Sequence, residues 1–77
     1  MPLKRVLNPM PDDIAARLDT ARLRTAYDAR PPYQRNDYLG WIARAKRPET
    51  REKRLVQMLE ELAGGTHYMN MRWSSTR

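Results

Sequence analysis

"AKRPETR", Ala45 to Arg51, is the stretch on which the reading of this chain turns. It separates two apolar-periodic segments, one ending at Ala45 and one beginning at Leu55. Pro48 cannot sit inside a regular helix without removing a hydrogen bond, but it suits the first turn of a new one. Glu49 then lies near the positive end of that helix's dipole, while Lys46 and Arg47 lie at the negative end of the helix before it. The stretch therefore reads as a joint: Lys46 and Arg47 close one helix and Pro48 opens the next.

On either side the periodicity supports two helices. Upstream, Tyr38, Trp41, Ile42 and Ala45 form an apolar stripe within a helix expected from Pro32 to Lys46, with Trp41 buried against its successor. Gly40 points roughly away from that stripe and weakens the helix by about 1 kcal/mol relative to Ala. Downstream, Leu55, Met58, Leu59 and Leu62 line one face of a helix from Pro48 to Ala63, and Gly64-Gly65 is a strong stop. Glu49 and Lys53 stand four apart in the favourable order.

Farther upstream, Pro31 pushes Arg30 out of the helical region and marks a boundary. Leu23, Ala26 and Tyr27 give a second helix, with Asp19 as its expected N-cap. Pro11 suits the first position of a short helix to Leu18, with Asp12 and Asp13 in its first turn and Ile14, Ala15 and Leu18 as its apolar face. Pro2, Pro9 and Pro11 rule out a continuous helix before that, so residues 1–9 are expected as an extended arm. After Gly65, Met69, Met71 and Trp73 alternate with polar residues. Period two suggests an extended piece, and only Leu3 to Leu7 offers it a partner; two short strands alone are marginal. Residues 64–77 are therefore expected as a flexible tail, loosely docked at best, with Ser74 to Arg77 disordered. The fold class is all-α: a small domain of three to four helices over residues 10–63, with a C-terminal helical hairpin.

Composition narrows function only broadly. The chain has 77 residues, enough for one small domain, and no cysteine. No apolar run reaches the ~18 residues of a membrane span. "MPLKRVLNPM" lacks the apolar core of a signal peptide, and a cytoplasmic chain is expected. Lys and Arg number 15 against 9 Asp and Glu, a formal charge of +6 that admits nucleic acid, anionic lipid or an acidic protein face as partner.

Tyr27 to Leu62 resembles the YdeI/OmpD-associated bacteriocin-protection family. The residues that carry the resemblance are Tyr38-Leu39, Trp41-Ile42 and Ala45 through Arg51, and "MPDDIAARLDT" is similar to the family's lead-in helix. The chain departs from the pattern at Arg30, Pro31 and Pro32, where the family commonly has an apolar residue and Ser-Pro, and at Gln34, where histidine is frequent. The resemblance implies a link to bacteriocin tolerance. It supplies no reaction, ligand or catalytic residue.

The residues themselves argue against an enzyme. His67 is the single histidine, and Ser74 and Ser75 have no base held beside them. Asp12-Asp13 and Glu60-Glu61 are sequence neighbours, which diverge on a helix. No histidine–carboxylate spacing suits a metal, and no cofactor is expected. Arg44, Arg47, Arg51 and Arg54 recur about one turn apart and are the candidate contacts to an anion or a partner. Arg51 lies close to the apolar face and needs a partner; Asp28 and Asp37 are the candidates for a structural ion pair, with anion binding as the alternative. Tyr38, Trp41, Ile42, Leu55, Met58, Leu59 and Leu62 are expected in the core, so Tyr38 and Trp41 are not stacking platforms for bases. The expected function is a non-enzymatic helical module that binds a protein or another macromolecule. The alternative is a weak, sequence-blind nucleic-acid binder.

Overall fold

The computed structural model describes residues 7–72. Four helices follow one another: α1 (Asp12–Thr20), α2 (Arg24–Asp28), α3 (Pro32–Ala43) and α4 (Pro48–Gly64). Two short strands, β1 (His67–Tyr68) and β2 (Met71–Arg72), pair antiparallel after them. α3 packs on α4, α1 on α2, α2 on α4, and β1 on α4. The chain is thus a small, mostly helical domain closed by a hairpin of helices, as its periodicity implies.

The joint forms as the proline requires. Arg47 is the N-cap of α4 in extended conformation, φ −114° and ψ 145°, the region to which a following proline confines a residue. α3 stops at Ala43, short of the expected Lys46, and residues 44–47 make the connection. α4 ends where the glycines demand: Gly65 adopts φ 77°, and its N–H donates to the Glu61 carbonyl at 2.9 Å.

The expectation that Asp19 caps the second helix is corrected. Asp19 lies in the last turn of α1, and Leu23 is the N-cap of α2, with no side-chain cap bond. The cause is a Schellman turn. Leu23 N–H donates to the Leu18 carbonyl at 2.8 Å, and Arg22 N–H to that of Asp19 at 3.1 Å. Arg22 carries the left-handed residue of that turn at φ 60°, a position that usually falls to glycine, so no glycine in the sequence announces it. The buried Leu18 and half-buried Leu23 supply the apolar contact that accompanies such turns.

The core draws on every helix and on β1: Ile14, Leu18, Tyr27, Tyr38, Leu39, Ile42, Leu55, Met58, Leu62 and Tyr68. Of the expected core residues, Tyr38, Ile42, Leu55, Met58 and Leu62 are buried, while Leu59 and Trp41 are only partly so. Trp41, expected largely buried against α4, is partly buried and packs at the edge of the core. It lies about 60° around the helix from Tyr38, given ~100° per residue. There its ring meets Arg54, whose guanidinium carbon stands 5.3 Å from the ring centroid. On α3, Leu39 joins the core instead.

Gly40 has a packing reason. A Cβ built there would stand 2.8 Å from Asn8 Nδ2, so the segment before α1 crosses α3 at this glycine. Asn8 is held by Asn36: its N–H donates to Asn36 Oδ1 at 2.7 Å, and Nδ2 to the Asn36 carbonyl at 3.1 Å. The remainder of the expected N-terminal arm, residues 1–6, lies outside the described residues.

The expectation of an unpaired, loosely docked stretch after Gly65 is corrected over residues 67–72. Tyr68 pairs with Met71 and His67 with Arg72 across a two-residue turn. Met69 at φ 53° and Asn70 at φ 66° give that turn the left-handed geometry that matches strand twist. Tyr68 is buried, edge-on to Tyr38 with ring centroids 5.4 Å apart. The expected disorder of Ser74 to Arg77 concerns residues outside those described.

Two outcomes follow from this packing. Trp41→Ala should cost about 1–2 kcal/mol, below the 3–5 kcal/mol typical of a fully buried aromatic, because the ring is only partly buried. Deleting residues 66–77 should cost more than about 3 kcal/mol, since it strips Tyr68 from the core. Denaturant curves of both variants against the intact chain check the two values.

Candidate functional site

The four arginines singled out by spacing divide into two pairs. Arg51 makes two bonds to the Asp13 carboxylate, at 2.7 and 3.2 Å, and thereby ties α4 to α1. The structural ion pair is present, but its expected partners are corrected. Asp28 lies 3.6 Å from Arg24 on its own helix, and Asp37 accepts the Tyr68 hydroxyl at 2.6 Å. Beside it, Arg17 and Glu52 form a second two-pronged pair at 2.9 and 2.8 Å. The hydrogen bonds from Arg51 hold the Asp13 carboxyl below its usual value, and those from Arg17 do the same for Glu52. Both pairs lie at the surface, where water and salt screen them, so they tie the helices together only weakly.

Arg54 is also used internally. Its Nη1 donates to the Trp41 carbonyl at 2.7 Å, satisfying one of the last carbonyls of α3, while its plane lies over the Trp41 ring. Arg44 and Arg47 differ. Both are exposed on the joint, together with Lys46, and none of the three has an ion pair or side-chain hydrogen bond among the described residues. The structure therefore brings two of the expected contact arginines to the surface and spends the other two on holding the helices.

A second cluster lay beyond the reach of spacing arguments. Glu61 sits three residues after Met58, on the apolar side of α4, and is 7% exposed. Its Oε1 accepts the Tyr38 hydroxyl and the Met69 N–H, the latter at 2.8 Å. Its Oε2 accepts the Asn70 N–H at 2.8 Å and Gln57 Nε2 at 3.1 Å. Arg30, buried as well, donates to the Glu61 carbonyl at 2.9 Å and to Gln34 Oε1 at 3.1 Å. The one visible signal was an acid on an apolar stripe, which has to be paired. Its main partners lie in the hairpin, which periodicity alone does not reveal.

Burial pushes the Glu61 carboxyl upward, but the bonds from Tyr38, Asn70, Met69 and Gln57 outweigh it and hold it below its ordinary value. Burial, and then its bond to Glu61, raises the Tyr38 phenol above its ordinary value. The pair thus consists of a neutral phenol donor and an ionised acceptor across neutral pH.

An open cleft of about 290 Å³ lies beside this cluster, lined by Gln57, Glu60, Glu61, Gly64, His67 and Asn70. His67 is exposed, and its Nδ1 lies 3.1 Å from Thr66 Oγ1. The Glu61 carboxylate faces its four donors, so both of its oxygens are already engaged. Among the described residues, no group of three or more His, Asp or Glu side chains could hold a metal ion. No described helix is long and apolar enough to cross a membrane. Ser74 and Ser75 lie outside the described residues.

A family model described as "Bacteriocin-protection, YdeI or OmpD-Associated" matches residues 9–65. The matched span holds the four helices, the joint and Glu61, and ends before the hairpin that clasps Glu61. No curated protein and no solved structure matches the chain.

Replacing Glu61 by Gln tests the cluster. At neutral pH the loss should be about 2–3 kcal/mol, because a charge-assisted acceptor is lost and an amide donor is set against existing donors. The sign in pH follows from the lowered carboxyl. Its stabilisation is complete above about 4.5, the unfolded value, and is lost as pH falls through the lower folded value. The stability gap between the intact chain and Glu61→Gln should therefore narrow on acidification. Urea curves at several pH values between neutral and acid read this directly.

Proposed function

The chain belongs to the bacteriocin-protection, YdeI/OmpD-associated family, and from that premise we propose that it works as a non-enzymatic helical module that acts by binding a protein. The observation that carries this reading is the division of its cations. Arg51 and Arg54 are consumed in holding α1, α3 and α4 together, whereas Arg44, Lys46 and Arg47 stand exposed without partners among the described residues. A rigid frame thus presents a short basic surface. The family's description carries the words "OmpD-Associated", and an association agrees with a binding role. Internal bonding supports the non-enzymatic part: both oxygens of the buried carboxylate are engaged by donors of the fold.

The experiment is capture from a nuclease-treated cell lysate at low and moderate salt, run beside titrations of two unrelated DNA duplexes. The expected outcome is a protein retained in stoichiometric amount at moderate salt. DNA binding should be weak, with dissociation constants near about 10⁻⁴–10⁻⁶ M, equal for both duplexes and steeply salt-dependent. A preference for one duplex that survives added salt, with no protein retained, would replace this reading by nucleic-acid recognition.

A further inference from the structure

We propose that the joint between α3 and α4 is a carboxylate-binding surface whose occupant is an acidic segment of a partner protein, held by Arg44 and Arg47 with Lys46 between them. This inference rests on the binding-module reading and names the surface and the partner's chemistry.

Position is the first argument. Arg44 is the C-cap of α3, where the dipole favours a cation, but Arg47 is the N-cap of α4, where the dipole opposes one. No side chain caps α4, and only Glu49 in its first turn offsets the crowding of positive charge. Three exposed cations within four residues repel one another, and no described acid pairs with them. Several other basic residues are paired: Arg17 with Glu52, Arg24 with Asp28, Arg51 with Asp13. The joint gathers its three exposed cations within four residues, whereas Arg22, Lys53 and Arg72, the other exposed cations without an ion pair among the described residues, stand singly. A bound carboxylate would relieve the repulsion and the unfavourable dipole together.

Size and surroundings select a protein segment over a nucleic acid. The Cα atoms of residues 44 and 47 can stand no more than about 11 Å apart, so the surface spans one or two carboxylates and no long run of phosphates. Beyond the joint, α4 presents Glu49 to solvent, which interrupts the run of free cations where a phosphate backbone would need it to continue. The nearest aromatic, Trp41, has its ring face covered by Arg54 and is closed to a stacking base. Arginine's planar fork suits paired oxygens of a carboxylate, and the Arg54–Trp41 and Arg51–Asp13 contacts hold both ends of the joint in place.

The test uses the full chain, a fluorescently labelled Glu-rich peptide and a labelled single-stranded oligonucleotide of equal charge, followed by anisotropy at moderate salt. Arg44→Ala/Arg47→Ala should weaken peptide binding at least about tenfold. Arg22→Ala/Arg72→Ala removes the same charge from exposed positions elsewhere and should change it less than about threefold. Equal losses in the two variants would mean generic attraction and overturn the site. Tighter binding of the oligonucleotide, dependent on Arg44 and Arg47, would overturn the partner class. Absence of peptide binding would overturn both. The lysate capture repeated with Arg44→Ala/Arg47→Ala separates the two levels: a protein still retained leaves the binding module standing without this surface. A protein retained by neither form removes the module reading, whatever the peptide does.

Discussion

One buried carboxylate organises the closure of this domain. Glu61 lies on the inward side of α4 and accepts from α3 through Tyr38, from its own helix through Gln57, and from the hairpin through the N–H groups of Met69 and Asn70. An ionised group in an apolar setting is costly unless each of its lone pairs meets a donor. Here four donors from three segments meet it, so the position of each segment constrains the others. Arg30 adds a fifth contact at the Glu61 carbonyl, which brings in the turn between α2 and α3. Apolar packing supplies most of the driving force in such a core, but packing is tolerant of small slips. A carboxylate with four directional partners is not.

The helices use charge in two distinct ways around that core. Inside, Glu61 and Arg30 are fully bonded and set geometry. Outside, the Arg51–Asp13 and Arg17–Glu52 pairs lace α4 to α1 at modest energy, because water and salt screen them. Arg54 stands between these cases, half-buried, closing the end of α3 and covering Trp41. The joint contrasts with these pairs: its three cations have no ion pair among the described residues, and the one at the N-terminal end of α4 is set against the dipole of its own helix.

Much of the architecture was legible because it is written locally. Pro11, Pro32 and Pro48 open helices, Gly65 closes one, and the apolar periods of α3 and α4 announce a hairpin. What escaped was non-local or lacked its usual marker. Arg22 occupies a left-handed turn without being glycine, so the boundary between α1 and α2 carries no sequence marker. The turn at Met69-Asn70 has no Asn-Gly or Asp-Gly signature, so the strands around it had no visible partner. Arg51 finds its acid 38 residues away, and the two acids that spacing favoured were already engaged, one by a neighbouring arginine and one by Tyr68. The candidate surface followed the same rule. Charge spacing brought forward four arginines, but only tertiary contacts decide which of them are spent.

The Glu61 clasp has a consequence for the order in which the molecule takes shape on the ribosome. Glu61 is synthesised eight and nine residues ahead of Met69 and Asn70, the backbone groups that stabilise its charge. While those residues are still inside the exit tunnel, α4 carries an ionised carboxylate that its partners in α3 and α4 satisfy only in part. The turn at Met69-Asn70 carries two N–H groups and the neighbouring Tyr68 ring, so docking of the hairpin and burial of the Glu61 charge are coupled.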